Sequence, residues 1–248
     1  MLSLARITAL VLLFHFSATA AQDAPRVLKS GPDHVALLEL YTSEGCSSCP
    51  AADAWMSNLK NDERLWRPIV PIAFHVDYWD RLGWADPFAA AAFSQRQYDY
   101  AAQWQSDRIY TPAFVFDGRE WRGYFARDAL PQDVPQVAGD LHITLGDSSA
   151  IISFSAAGKR YENLHVHLAL LGFDLKSAVP RGENKGKVLT HDFVVLGYET
   201  ATLAHDGKHH HNTAALPTSA VKAERRASAA WVTRGNDLTP IQVVGGWL

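Results

Sequence analysis

Val35 to Tyr41 is apolar at every position except Glu39, and Ile69 to Val76 forms a second apolar run. Short apolar runs of this kind mark strands buried on both faces. Between them the spacing after Cys49 predicts a helix to about Asn61. Pro50 is tolerated in its first turn, and Asp53 adds negative charge near the positive helix end. An Ala-rich stretch from Pro87 to about Gln105, carrying Phe93, Tyr98 and Trp104, predicts a second helix. Ala113 to Phe116 and Trp121 to Phe125 flank Asp117-Gly118, a dipeptide that favours a tight hairpin between alternating runs. Arg127 to Asp140 reads as a closing helix that has to accommodate Pro131 and Pro135. The first half therefore predicts a mixed α/β unit, parallel at first and antiparallel at its edge.

The texture changes at Leu141. Short alternating runs recur at Leu141 to Leu145, Ile151 to Phe154, Leu164 to Phe173, Phe193 to Tyr198, Ala229 to Val232 and Ile241 to Val244, with turn residues between them. This pattern predicts an all-β sandwich. The division that follows is 1–21 as a signal segment, 22–33 as a linker, 34–140 as the α/β domain and 141–248 as a β-rich, sandwich-like domain. No repeat relates the two halves.

Composition changes the picture in two ways. The chain has 248 residues, 48% of them hydrophobic, which is ample for two cores. Its N-terminus combines Arg6, an apolar run from Ile7 to Phe16 and small residues around Ala18-Thr19-Ala20, as an export signal does. The run is too short to span a bilayer, so no stable membrane insertion is expected after cleavage. Removing Arg6 changes 23 Lys+Arg to 22 against 26 Asp+Glu, a formal charge of −4. Nucleic acid is not an expected partner at that balance. The expected location is exported, periplasmic or secreted, where cysteines are prone to oxidation.

Both cysteines lie in Cys46-Ser47-Ser48-Cys49, where the first strand turns into the first helix. A thiol at a helix N-terminus meets the positive dipole end and unpaired N–H groups, which favour thiolate. Cys46 is thus the candidate nucleophile and more accessible sulfur, with Cys49 resolving a mixed disulfide. Three readings stay open. The pair exchanges with protein or small-molecule thiols and disulfides, it is a static bridge in a partner-binding module, or it captures a soft metal such as Cu(I). A bridge closing so short a loop is an inefficient staple, which favours exchange, and exchange needs no dissociable cofactor. Glu44 would oppose a thiolate if its carboxylate lay close, or simply face water. Asp53 is a candidate proton acceptor for Cys49 or a dipole partner. His75 and Asp77 point to one side of their strand, as a buried pair or toward the cysteines beside Tyr78 and Trp79. Arg181-Gly182-Glu183-Asn184 reads as a turn tying the β domain to the first. His209-His210-His211 has the composition of a metal tract without identifiable partner ligands.

Four blocks in order, Tyr41-Thr42-Ser43-Glu44-Gly45-Cys46-Ser47-Ser48-Cys49-Pro50-Ala51-Ala52-Asp53, Phe74-His75-Val76-Asp77-Tyr78-Trp79-Asp80, Tyr110-Thr111-Pro112 and Arg181-Gly182-Glu183-Asn184-Lys185-Gly186, resemble the exported thioredoxin-like family known as DUF1223. The resemblance covers nearly all of the chain after the signal. It implies an α/β thioredoxin-like domain followed by an all-β extension, with Cys46 and Cys49 as the redox pair. Pro112, preceded by Thr111, matches the cis-proline that faces the disulfide in that superfamily. The sequence departs from thioredoxin in lacking the aromatic-Cys-Gly-Pro-Cys form. Its long interval from Cys49 to Pro112 implies a helical insertion around Trp84 to Trp104.

Overall fold

The computed structural model describes residues 25–131 and 136–248, so the expected signal segment lies outside the described residues. In chain order the first half contains β1 (Arg26–Lys29), β2 (Ala36–Thr42), α1 (Cys49–Ser57), β3 (Ile69–His75), α2 (Ala91–Gln103), β4 (Ala113–Phe116), β5 (Arg119–Glu120) and α3 (Gly123–Ala126). The second half is strand throughout: β6 (Gly139–Leu145), β7 (Ser149–Ala156), β8 (Leu164–Phe173), β9 (Leu175–Ala178), β10 (Val188–His191) and β11 (Val194–Thr202). It ends with β12 (Ala204–His205), β13 (His210–Ala215), β14 (Arg225–Arg234) and β15 (Asp237–Trp247).

The two apolar runs become β2 and β3, buried at every residue and paired in parallel, Ala36 opposite Ile69 through Thr42 opposite His75. β4 joins the other edge of β2 antiparallel, and the Asp117-Gly118 turn carries it into β5 with positive φ of 52° and 78° at the two turn residues. β5 stops after two residues because Gly123–Ala126 coils into α3.

The free edge of β3 is taken by β11, parallel, with Val194 opposite Ala73. β8, β14 and β15 then continue antiparallel, giving one eight-stranded sheet in the order β15-β14-β8-β11-β3-β2-β4-β5. Pro71 sits in the middle of β3 without disrupting it. The Ala73 N–H donates to Phe193 O on the β11 side, and two residues earlier Pro71 faces that same side, outside the single β11–β3 pair at Val194 and Ala73. A five-stranded antiparallel sheet, β1-β6-β7-β13-β12, and a β9–β10 pair complete the structure. β1 lies within the expected linker.

The expected α/β thioredoxin-like domain followed by an all-β sandwich-like domain is therefore corrected. The structure is mostly β, 45% strand against 15% helix, with a large mixed sheet and an antiparallel one. The reason lies in the faces and edges of the early strands. β2 and β3 need covering all round, and helices of nine and 13 residues do not suffice. Later strands supply the rest. Along β14 the period of two sends Ala227, Ala229 and Trp231 to the core around β2 and β3, and Ala230 and Val232 to a second core against Leu141, Ile143, Ile152 and Phe154. β8 divides in the same way, Leu171 and Phe173 to one core, Val166 and Leu168 to the other.

Candidate redox site

The site sits where β2 ends and α1 begins. Ser43 to Cys46 are buried, Ser47 and Ser48 are exposed, and Cys49 opens α1 with Pro50 behind it. Cys46 and Cys49 form a disulfide across a Cα separation of 5.5 Å. Because β4 runs antiparallel beside β2, with Tyr41 opposite Ala113, the segment just before β4 is delivered to the same end of the sheet. Thr111–Pro112 is a cis peptide there, and the Thr111 carbonyl oxygen lies 3.7 Å from Cys46 Sγ. Ser48 Oγ lies 3.4 Å from the same sulfur.

Neither sulfur is at the surface. Cys46 is 1% and Cys49 0% exposed, so the expected difference in accessibility is absent from this closed form. Two elements provide the cover. Trp79 packs on Gly45, where an added Cβ would come within 2.8 Å of Trp79 Cβ, and its indole N–H donates to Thr111 Oγ1 at 2.8 Å. The loop between β9 and β10 does more. Asn184, fully buried, donates from Nδ2 to the carbonyls of both Glu44 and Cys46 at 2.8 Å, and Glu183 accepts the Ser47 N–H at 2.8 Å. The Ser47 bonds hold the Glu183 carboxyl below its ordinary pKa. The turn that the sequence marked does tie the later strands to the first.

Asn184→Ala should uncover the bridge. It removes three side-chain hydrogen bonds, those to the Glu44 and Cys46 carbonyls and the one accepted from Lys187 Nζ, and leaves the Glu44 carbonyl without its donor while Cys46 O keeps the Cys49 N–H. At a cost of roughly 1–3 kcal/mol, the open loop should be populated on the order of tenfold more. The rate of disulfide reduction by a phosphine, followed by alkylation and mass, should rise accordingly. An unchanged rate would show that the loop is not the barrier.

Where α1 packs on β10 lies a set of buried charged groups. Glu44, 0% exposed, does not face water. Its Oε2 accepts from Trp84 Nε1 at 2.7 Å and Ser177 Oγ at 3.1 Å, while Oε1 lies 3.0 Å from His191 Nε2. The other ring nitrogen of His191 is 3.5 Å from Asp53 Oδ2 on α1. Burial pulls the imidazole pKa down, but Asp53 and Glu44 outweigh it and push it up to about 9. Next to this, His75 Nδ1 and Asp86 Oδ2 are 2.7 Å apart, with the His75 and His191 rings edge to face at 4.9 Å. Burial opposes the charge on Asp86, yet His75 and the N–H groups of Glu44 and Phe88 hold its pKa below the ordinary range.

The other expected residues divide. Asp77 turns to α2, where its carboxylate accepts from the Ser94 hydroxyl, so the buried partner of His75 is Asp86. Tyr78 donates to Gln97 Oε1 at 3.1 Å, and burial raises its pKa. His210 is buried in β13 with its ring tilted against that of His205, while His209 pairs with Ser155; among the described residues no cluster of three or more His, Cys, Asp or Glu is arranged to hold a metal.

Residues 37–233 match the family described as protein of unknown function DUF1223. The chain belongs to the DUF1223 family. Among curated proteins none matches it. Two solved structures share the fold. Protein AGR_C_4864 from Agrobacterium tumefaciens is 23% identical with a TM-score of 0.56, over 87% of this chain and 94% of that one. HBP35 of Porphyromonas gingivalis is 14% identical with a TM-score of 0.58, over 87% of this chain and 76% of that one. At such identities the likeness is one of fold alone. Within this DUF1223 member, His191, Asp86, Trp84 and Ser177 escaped the sequence reading.

Proposed function

We propose that the protein is an exported thiol–disulfide oxidoreductase working through the Cys46/Cys49 pair on protein or small-molecule thiols. The observation that carries this reading is the position of the bridge at the N-terminus of α1, with the Thr111 carbonyl against Cys46 Sγ. In the oxidising direction, a substrate thiolate attacks Cys46 Sγ, the Cys46–Cys49 bond breaks, and Cys49 leaves with the electron pair. A second substrate thiolate then attacks the substrate sulfur of the mixed disulfide and releases Cys46. The substrate is oxidised by two electrons and the pair reduced by two, with protons passing to the thiolates. The backbone before Pro112 offers an edge for an extended substrate.

The burial of both sulfurs favours a second reading, a static bridge in a partner-binding module. The reduction potential separates the two. Equilibration of the full-length protein in defined glutathione buffers, with alkylation and mass to count thiols, should give a midpoint between about −120 and −270 mV, the range of exchanging pairs. A pair still oxidised below about −300 mV behaves as a structural bridge, and the exchange reading falls.

A further inference from the structure

Two desolvated carboxylates borne next to the dithiol in the chain oppose the chemistry proposed for it. Glu44 is two residues before Cys46, and Asp53 follows Cys49 by one helical turn, on the same face of α1. Glu44 is 0% and Asp53 7% exposed, so water screens neither. A nearby negative charge raises a thiol pKa. The dipole of α1 contributes only about 0.3–1 kcal/mol toward the thiolate.

We propose that His191, delivered by β10 from the far end of the chain, is a positioning residue of the redox site whose imidazolium cancels Glu44 and Asp53 so that the Cys46 thiolate can form at neutral pH. The inference rests on the exchange reading given above. α1 and β10 pack together, which brings the ring between the two carboxylates. Each ring nitrogen faces one of them, Nε2 toward Glu44 at 3.0 Å and Nδ1 toward Asp53 at 3.5 Å. Nε2 is in hydrogen-bond contact with Glu44, whereas Nδ1 and Asp53 Oδ2 meet without hydrogen-bond geometry, and only the doubly protonated ring places a positive charge between the two carboxylates. The upward pKa shift agrees with that charge state.

The other groups around the ring are accounted for. His75 is edge-on at 4.9 Å, its Nδ1 paired with Asp86 at 2.7 Å and its Nε2 buried without a hydrogen-bond partner among the described residues. Phe88 packs against the ring, and Asp192, the next residue, is turned to Lys60 at 2.8 Å. With His191 protonated, the set of Glu44, Asp53 and His191 carries one net negative charge. Without that proton it carries two, on residues flanking Cys46 and Cys49 in the chain. A static staple has no need of this compensation, since a disulfide bears no charge in either partner.

The test is the pKa of Cys46 in full-length protein reduced by a phosphine, read from the pH dependence of its alkylation rate. Glu44→Gln removes an opposing charge and should lower that pKa. His191→Gln should raise it by about one unit, a tenfold loss of thiolate at neutral pH. Glu44→Gln with His191→Gln should return it toward wild type, an opposite-sign coupling that a merely structural histidine would not give. Where His191→Gln fails to fold, Glu44→Gln decides alone, and an unchanged or raised pKa overturns the proposal. Equal pKa values in all the variants overturn it as well. Chemical reduction keeps this result separate from the glutathione equilibrium. A pair that fails that equilibrium while the Cys46 pKa still shifts would overturn exchange and leave the electrostatic role intact.

Discussion

Replacing Arg96 by methionine should lower the free energy of unfolding by about 3–5 kcal/mol, a large part of the 5–15 kcal/mol that a folded domain holds. Arg96 is 5% and Glu39 0% exposed, deep in the core between α2 and β2. The guanidinium meets the carboxylate with two bonds, Nε to Oε2 at 2.8 Å and Nη2 to Oε1 at 3.0 Å. Its face lies over Phe74, Tyr100 and Trp231 at 5.2–5.6 Å from the ring centroids. Burial disfavours the arginine charge, and Glu39 outweighs that penalty, so the pKa of Arg96 rises. Methionine fills much of the volume but leaves Glu39 with only the hydroxyls of Tyr41 and Tyr100. An unpaired buried carboxylate is the source of the cost, so adding Glu39→Leu to Arg96→Met should recover most of it. Urea denaturation of the two variants checks this. Equal losses in both would assign the cost to packing.

Glu39 also shows what was legible in the chain and what was not. A lone charge inside a buried run signals a buried partner, but nothing local identifies Arg96, 57 residues later. The elements announced by their own periodicity were readable: β2, α1, β3, α2 and the long strands after Leu141 all stand where the pattern put them. Their association was not, because pairing β11 with β3 is decided by which edges and faces are left uncovered, a property of the whole fold. Short strands such as β1, β9 and β12 carry too few residues to show a period. The surroundings of the cysteines followed the same rule. The Arg181 to Asn184 turn was marked as a tie to the first half, but its place over Cys46 and the contact of His191 with Glu44 and Asp53 depend on how the later strands associate, and no spacing in the sequence encodes that.

Two serine variants should separate the roles of the sulfurs, with the largest functional effects expected from any substitution here. The loop that closes the site bonds the Cys46 carbonyl and the Ser47 N–H, so its opening uncovers Cys46 first. Cys49, 0% exposed, faces the interior together with Asp53 on α1. Incoming thiolate should therefore meet Cys46, with Cys49 as the leaving group. Cys49→Ser should accept one glutathione per chain on Cys46 from oxidised glutathione and hold it, because no second sulfur is present to expel it. Cys46→Ser should react far more slowly at the remaining Cys49 and should lose turnover with any dithiol altogether. Intact-mass measurement over time on the two proteins reads both the adduct and its rate. Faster labelling of Cys49 in the Cys46→Ser protein would reverse the assignment. It would require an approach from the side of α1, where the buried Glu44, His191 and Asp53 would then have to open to admit the substrate.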